Sequence, residues 1–375
     1  MTDSVAVVGG GAVGVTAARE LAVRGAAVTL FERGDIAAGS TGRAAGICYD
    51  AFAGRTDAAV AARAMDRFRE LAAETRFSFR ERPYVWLARE GDGTEAEAIR
   101  EQVSRMRERG RNVALLDPSA LAAEFPVLAT GDVAVAAVAR DAACADPAEY
   151  AAVVAERARN AGATIRTDTE VGVTAHPGVV TPEGTERFDA VLVAAGAHTR
   201  PLLAEAGVAV PIKAYRVQAL VTDPFSASAD LPTLYDASGE FYVRPRDGGL
   251  LVGDGVEKRD FDPDDWDRTA DEAFLDTAVE RLDAVVAPGV GRPAGIARSW
   301  AGLCTATPDR DPLVGAVASG LFVAAGWHGH GFMRAPALGR TVAAQVLGAD
   351  GIEAFDPARF DGDEEFPVVE GMTVE

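Results

Sequence analysis

Cysteine is scarce in this sequence. The three that occur, Cys48, Cys144 and Cys304, lie far apart with no Cys-x-x-Cys pair, so neither a disulfide framework nor a zinc site is expected. No stretch approaches the ~18 uncharged apolar residues that a membrane-crossing helix needs. The N-terminus runs straight into Val5-Ala6-Val7-Val8, without the basic segment and cleavage site of a secretory signal. A soluble, cytoplasmic protein is the expectation. Lysine is nearly absent as well: Lys213 and Lys258 stand among 37 cationic residues, the rest being arginine. Against them stand 57 acidic residues, a net charge of −20. Phosphates would be repelled over most of such a surface, which makes nucleic acid a poor partner. An acidic, lysine-poor surface suits a cytoplasm of high salt, where its charges are screened, and a halophilic source is expected.

What is present is a globular balance. The 375 residues are 48% apolar and 25% charged, which fits two domains, or one large α/β domain carrying an insertion. Val5 to Val8 reads as a buried strand, Ala12 to Arg24 as a helix closed by Gly25, and Ala27 to Phe31 as a second strand. Helical spacing recurs over 56–77, 94–109 and 147–160, the last with Asp146 as cap and Pro147 at its first position. Strands are expected at 83–88, 132–140, 163–166, 170–174 and 189–194, and a meander over 211–254. An acidic helix follows at 265–287, with Phe274, Leu275, Val279 and Leu282 turned inward. Three strands near 296–303, 312–317 and 321–325 precede a last helix at 331–347, and the tail after Asp361 reads as loose.

Gly9-x-Gly11-x-x-Gly14 follows a strand and opens a helix, the setting in which this spacing binds a dinucleotide. Its glycines permit a tight turn, close approach of a pyrophosphate and close helix–strand packing. The helix start, with Ala12 and Val13, offers backbone N–H groups and the positive end of a dipole. Glu32 ends the second strand, where its carboxylate can accept from ribose hydroxyls. The small-residue loop from Gly39 to Gly46 comes soon after, with Ser40, Thr41, Arg43, Ala44 and Ala45. A second stretch of exposed backbone N–H groups suits a long flavin cofactor better than a nicotinamide one.

These segments, with two later ones, resemble the FAD-dependent amine oxidoreductases of the D-amino acid oxidase superfamily. The likeness is strongest to the glycine oxidase, sarcosine oxidase and D-amino acid dehydrogenase branch. It spans nearly the whole chain: the Gly9 fingerprint with Glu32-Arg33, the Gly39–Gly46 loop, and the strand from Asp189 that ends in Ala195-Gly196. A C-terminal block completes it, with Arg298-Ser-Trp-Ala-Gly-Leu303, Thr307-Pro-Asp309 and Ala325-Gly-Trp-His-Gly-His-Gly-Phe-Met333. The resemblance implies an α/β fold in which a Rossmann-like FAD-binding domain is interrupted by an α+β substrate domain with a mixed, mainly antiparallel sheet. The implied boundaries are 1–50, 132–210 and 295–375 for the first, and 51–131 and 211–294 for the second.

The resemblance also assigns residues. Val171 matches a position whose backbone meets adenine, and Gly302 falls where sarcosine oxidases carry the cysteine that tethers FAD. Gly329, His330, Gly331, Phe332 and Met333 form the loop and helix start at the flavin pyrimidine edge, where backbone donors stabilise the anionic reduced ring. Tyr242 matches a tyrosine whose hydroxyl can meet a substrate carboxylate, and Arg244 and Arg334 are the candidate anchors, because a guanidinium pairs carboxylates bidentately. His328 and His330 are candidate bases, though His330 reads better as a residue of the flavin loop. Two departures bear on substrate: Cys304 stands where glycine oxidases carry an arginine, and Met333 where monomeric sarcosine oxidases carry a lysine. Cys304 is also out of register with the cysteine that tethers FAD in sarcosine oxidases, so noncovalent FAD is expected. No metal site is expected.

The implied reaction is oxidation of the C–N bond of a small amino acid or N-methyl amino acid, with hydride passing from the α-carbon to flavin N5 and the imine hydrolysing. Partners would be that substrate and oxygen or an electron carrier, and a homo-oligomer is compatible. Two alternatives stay open: oxidation of a 2-hydroxy acid or glycerol phosphate on the same fold, and a non-catalytic FAD-binding subunit.

Overall fold

The structure, a computed structural model, describes residues 4–369. Ser4–Val8 is the central strand of a six-stranded sheet, paired in parallel with Ala190–Val193 on one side and Ala27–Phe31 on the other. Thr164–Arg166 extends the second side, and Leu321–Ala325 with Leu313–Ala318 the first, the last pair antiparallel. A central parallel strand is covered on both faces and so reads as an unbroken apolar run. Val5 and Val7 face the helices, while Ala6 and Val8 face a small meander at 172–187.

Three helices lie on the first face: Ala12–Val23, Pro147–Asn160 and Gly331–Val346. Asp146 caps the second as expected, its carboxylate accepting from Ala148 N at 2.8 Å and Glu149 N at 3.2 Å. The first and last helices pack almost backbone to backbone. A Cβ placed on Gly339 would stand 2.7 Å from Thr16 Cβ, so only glycine allows the approach. Thr16 and Tyr150 share a buried hydrogen bond at 2.8 Å that ties in the middle helix.

The second sheet has eight strands, in the order Ile296–Ala306, Lys213–Thr222, Gly249–Glu257, Phe241–Arg246, Thr233–Asp236, Tyr84–Arg89, Val133–Ala139 and Val113–Leu116. All its pairs are antiparallel except Thr233–Asp236 with Tyr84–Arg89. One face carries Leu220, Val243 and Val252 and is sealed by the helices Pro118–Glu124 and Glu272–Val285. The opposite face carries Tyr242 and Arg244 and looks toward the first sheet's loops. A third, three-stranded sheet joins Ile47–Cys48, Ala143–Ala145 and Phe79–Glu81.

Four expectations differ from these elements. Val133–Ala139 and Ile296–Ala306, which fall within the expected ranges 132–210 and 295–375, pair into the eight-stranded sheet. The helix Arg55–Glu74, placed with 51–131, instead buries Val60, Ala64 and Phe68 in the helical core of the six-stranded sheet. The acidic helix spans Glu272–Val285, and its inward row is Phe274, Ala278 and Leu282; Val279 is 47% exposed, one step off that row. The tail is not loose as far as it is described: Phe366 and Val368 dock beside Tyr215 and Ala306.

Candidate active site

The glycine turn leaves no room for side chains. Gly9 has φ +111°, and a Cβ there would lie 2.4 Å from Ala194 O; one on Gly14 would lie 1.9 Å from Gly9 O. Gly11 caps the Ala12–Val23 helix without a side-chain bond, while Thr41 Oγ1 accepts from Ala12 N at 3.0 Å. Glu32 is held by two backbone donors, Gly10 N at 2.7 Å and Gly34 N at 2.9 Å. Ala195 and Gly196, the latter at φ +58°, follow the neighbouring strand and complete the crevice. The helix start, the bare glycine backbone and the fixed carboxylate fit a pyrophosphate and a ribose. Val171 is buried behind Phe31 and Val8. Arg33 turns away from the crevice to pair with Asp264 at 3.1 Å.

The loop at 39–46 bridges this crevice to the eight-stranded sheet. Ser40–Arg43 forms a single helical turn, Ala44 ends it, and Ser40 Oγ donates to Leu303 O at 2.6 Å. Trp300 Nε1 donates to Arg43 O at 3.1 Å, and a Cβ on Gly302 would sit 3.4 Å from Arg43 Cδ. Arg43 itself donates to Gly39 O at 3.0 Å. Gly46, at φ +72°, packs so closely that a Cβ would reach 2.0 Å from Ala145 O. Arg244 does not point a free guanidinium at this space. Its donors go to Ala45 O, Pro245 O and Ala145 O, so it clamps the loop to the sheet from a 5% exposed position.

The C-terminal loop meets the residues that follow the 39–46 loop, His330 packing edge-on against Tyr49 and Phe52. Gly329 has φ +79° and open surroundings, and Gly331 begins the last helix. Phe332 and Met333 send their side chains the other way, into the helical core, where Phe332 packs on Phe68 and Tyr150. Any contact they make with a cofactor is therefore through backbone. His328 is a strut: its Nε2 accepts from Thr307 N at 2.7 Å, and burial pulls its pKa down to about 4. His330 is buried against Phe52 and Tyr49, 3.4 Å from the Tyr49 hydroxyl, and burial holds its pKa well below the usual imidazole range. Both rings are therefore neutral near pH 7. Arg334 pairs with Asp57 at 2.9 Å and lies over the Phe52 ring, so the second candidate anchor is also engaged.

Tyr49, Phe52 and Asp57 join these residues although no motif in the sequence marks them. Tyr49 stacks on Phe52 and on Tyr84, joining the Gly39–Gly46 loop, the 328–331 loop and the large sheet. Burial raises the Tyr49 hydroxyl pKa, so it stays protonated. The available signal was the run Cys48-Tyr-Asp-Ala-Phe52 directly after the cofactor loop, dense in aromatics for a chain with 7%. Tyr242 lies half-buried on the facing sheet, beside Tyr235 in register.

Residues 4–345 match the family described as FAD dependent oxidoreductase, DAO. Glycine oxidase of Pseudomonas aeruginosa is 29% identical over 377 residues, covering 96% of this chain and 98% of the relative. 4-Methylaminobutanoate oxidase (formaldehyde-forming) of Paenarthrobacter nicotinovorans is 28% identical over 95% of this chain, which spans 45% of that protein. Among solved structures, L-proline dehydrogenase from P. horikoshii superposes with a TM-score of 0.84 at 29% identity, covering 96% of this chain and 98% of that one. The family match takes in the glycine turn, both loops and the two sheets that face one another. The chain belongs to the FAD dependent oxidoreductase family and is an FAD-dependent enzyme.

Proposed function

We propose that this oxidoreductase oxidises the C–N bond of a small amino acid or N-methylated amino acid, and that it holds FAD without a covalent tether. The observation that carries the reading is the aromatic cluster of Tyr49, Phe52, Tyr84 and His330, which adjoins the sheet face that carries Tyr242. Its one histidine, His330, is kept neutral near pH 7 by burial. Oxidation of a neutral amine needs positioning more than a strong base. The relatives are named for glycine, 4-methylaminobutanoate and L-proline, each an amine that carries a carboxylate.

The six-stranded sheet and its loops would hold the cofactor, with the Gly9–Gly14 turn and helix start at the pyrophosphate and Glu32 at the ribose. Backbone N–H groups from Gly329 to Gly331 would face the pyrimidine edge. Cys48 and Cys144 are buried in the small sheet, and Cys304 lies in the cluster that Phe366 and Val368 cover, which supports noncovalent attachment. FAD, when bound, supplies the acceptor for two electrons. Tyr242 would hydrogen-bond the substrate carboxylate, while Tyr49 and Phe52 exclude water from one side. The Cα–H bond breaks with its electron pair leaving as hydride. The nitrogen lone pair forms C=N, nitrogen returns a proton to solvent, and water then hydrolyses the imine to a carbonyl compound and an amine.

The products test this directly. Incubating the FAD-loaded enzyme with glycine, sarcosine, proline and N-methylalanine should yield a carbonyl product, trapped as its hydrazone, from at least one amine. Hydrazone formed only from 2-hydroxy acids would overturn the assignment to amines.

A further inference from the structure

Across the large sheet, one row of facing residues runs Trp86, Tyr235, Tyr242, Gly253, Ala219, Trp300. It is bulky at both ends and nearly bare at Gly253 and Ala219. Tyr242 uses that gap. A Cβ on Gly253 would stand 2.0 Å from Tyr242 Cζ, 2.1 Å from its Oη and 2.5 Å from Cε1. The phenol therefore does not stand off the sheet; it lies across the Gly249–Glu257 strand with its hydroxyl over position 253. The backbone does not call for glycine there, because Gly253 is not among the positive-φ glycines. Space alone requires it. The row belongs to the face that meets the cofactor loop, since Trp300 bonds Arg43 O and Arg244, two residues along from Tyr242, bonds Ala45 O.

We propose that Gly253 is a positioning residue for substrate: its missing side chain lets Tyr242 lie flat and fixes the hydroxyl where a substrate carboxylate binds. This rests on the reading of Tyr242 given above. Arg244 is bonded to backbone oxygens and Arg334 Nη2 is paired with Asp57, the buried Arg334 Nε alone lacking a partner, so on the sheet face the carboxylate contact falls to that hydroxyl. An alanine at 253 would push the ring up from the sheet and weaken carboxylate binding, with a smaller effect on turnover of bound substrate.

The test uses FAD-loaded enzyme and acetate as a carboxylate probe, with Kd read from the perturbed flavin spectrum, alongside KM and kcat for the oxidised amine. Gly253→Ala and Tyr242→Phe should each raise acetate Kd and KM by about tenfold, the worth of one hydrogen bond to a charged group. The Gly253→Ala change should move kcat much less than KM. Added to Tyr242→Ala, the alanine at 253 should change nothing further, because the ring it displaces is gone. If Tyr242→Phe weakens acetate and Gly253→Ala does not, the positioning role fails while the Tyr242 reading stands. If neither weakens it, the Tyr242 reading fails and takes the proposal with it. Should Gly253→Ala alone not fold, the comparison of Tyr242→Ala with Tyr242→Ala/Gly253→Ala decides, and an additive loss there overturns the proposal.

Discussion

Asp57 and Arg334 meet at 2.9 Å between the helices Arg55–Glu74 and Gly331–Val346, with the Arg334 side chain 6% exposed. Removing one partner from such a pair leaves a charge that water cannot fully reach, which is far costlier than removing both. Arg334→Met should therefore lose about 3 kcal/mol in urea denaturation, and Asp57→Asn added to it should recover much of that loss. Equal stability of Arg334→Met and the double variant would contradict the pairing. The same comparison shows what was legible residue by residue. The glycines and Glu32 could be read because a turn between strand and helix sets their roles within 25 residues of one another. The arginines could not. Arg244 finds its partners at Ala45 and Ala145, and Arg334 at Asp57, and nothing local in the sequence announces such distant acceptors.

At the scale of elements, the loop 326–331 is braced on the strand Ile296–Ala306 and the residues just after it. Trp327 N donates to Thr305 Oγ1 at 3.1 Å, His328 N to Thr305 O at 2.8 Å, and Thr307 N to the His328 ring. His328 must stay neutral to accept that last bond. Its folded pKa of about 4 lies below the ordinary imidazole value of 6.5, so its contribution is full above pH 6.5 and fades as pH falls toward 4. The loss is about 3 kcal/mol once the ring is protonated in both states. Asp311 acts in the opposite sense, because burial beside Asp57 and Asp309 lifts its pKa to about 6 and favours its protonation in the folded state. His328→Asn removes the first effect and keeps the second, and asparagine tolerates the φ of +46° there. Thermal melts between pH 7 and 4 should lose less stability in the variant than in the parent; parallel curves would contradict the account. Helices were the legible elements, since periodicity is local. Sheet membership was not, because Val133–Ala139 is assigned by its pairing with Tyr84–Arg89, about 50 residues upstream.

Over the whole molecule, two sheets meet at three loops, and the chain passes between them more often than a simple insertion would require. That interleaving explains why the helix Arg55–Glu74, from the 51–131 range, packs in the core of the six-stranded sheet. Among the described residues no helix is long and apolar enough to cross a membrane. The net charge of −20 falls on a surface where many arginines are paired with acids, such as Arg140 with Glu124 and Arg359 with Asp309. Charge of this kind bears on solubility and nonspecific binding rather than on fold. Both the α/β fold and the cofactor were readable from glycine spacing and the C-terminal block. The substrate grip proposed at Tyr242 was not, because it would depend on which residues of a sheet face are left small.

This fold is proposed to take electrons from an amine. The most direct test is an anaerobic titration of the FAD-loaded protein in molar KCl with glycine, sarcosine, D- and L-alanine and proline, following the visible flavin band. The account predicts that at least one of these amines bleaches the band, and readmitting air then tells an oxidase from a dehydrogenase. A flavin that no amine reduces, but that a 2-hydroxy acid does, would contradict it.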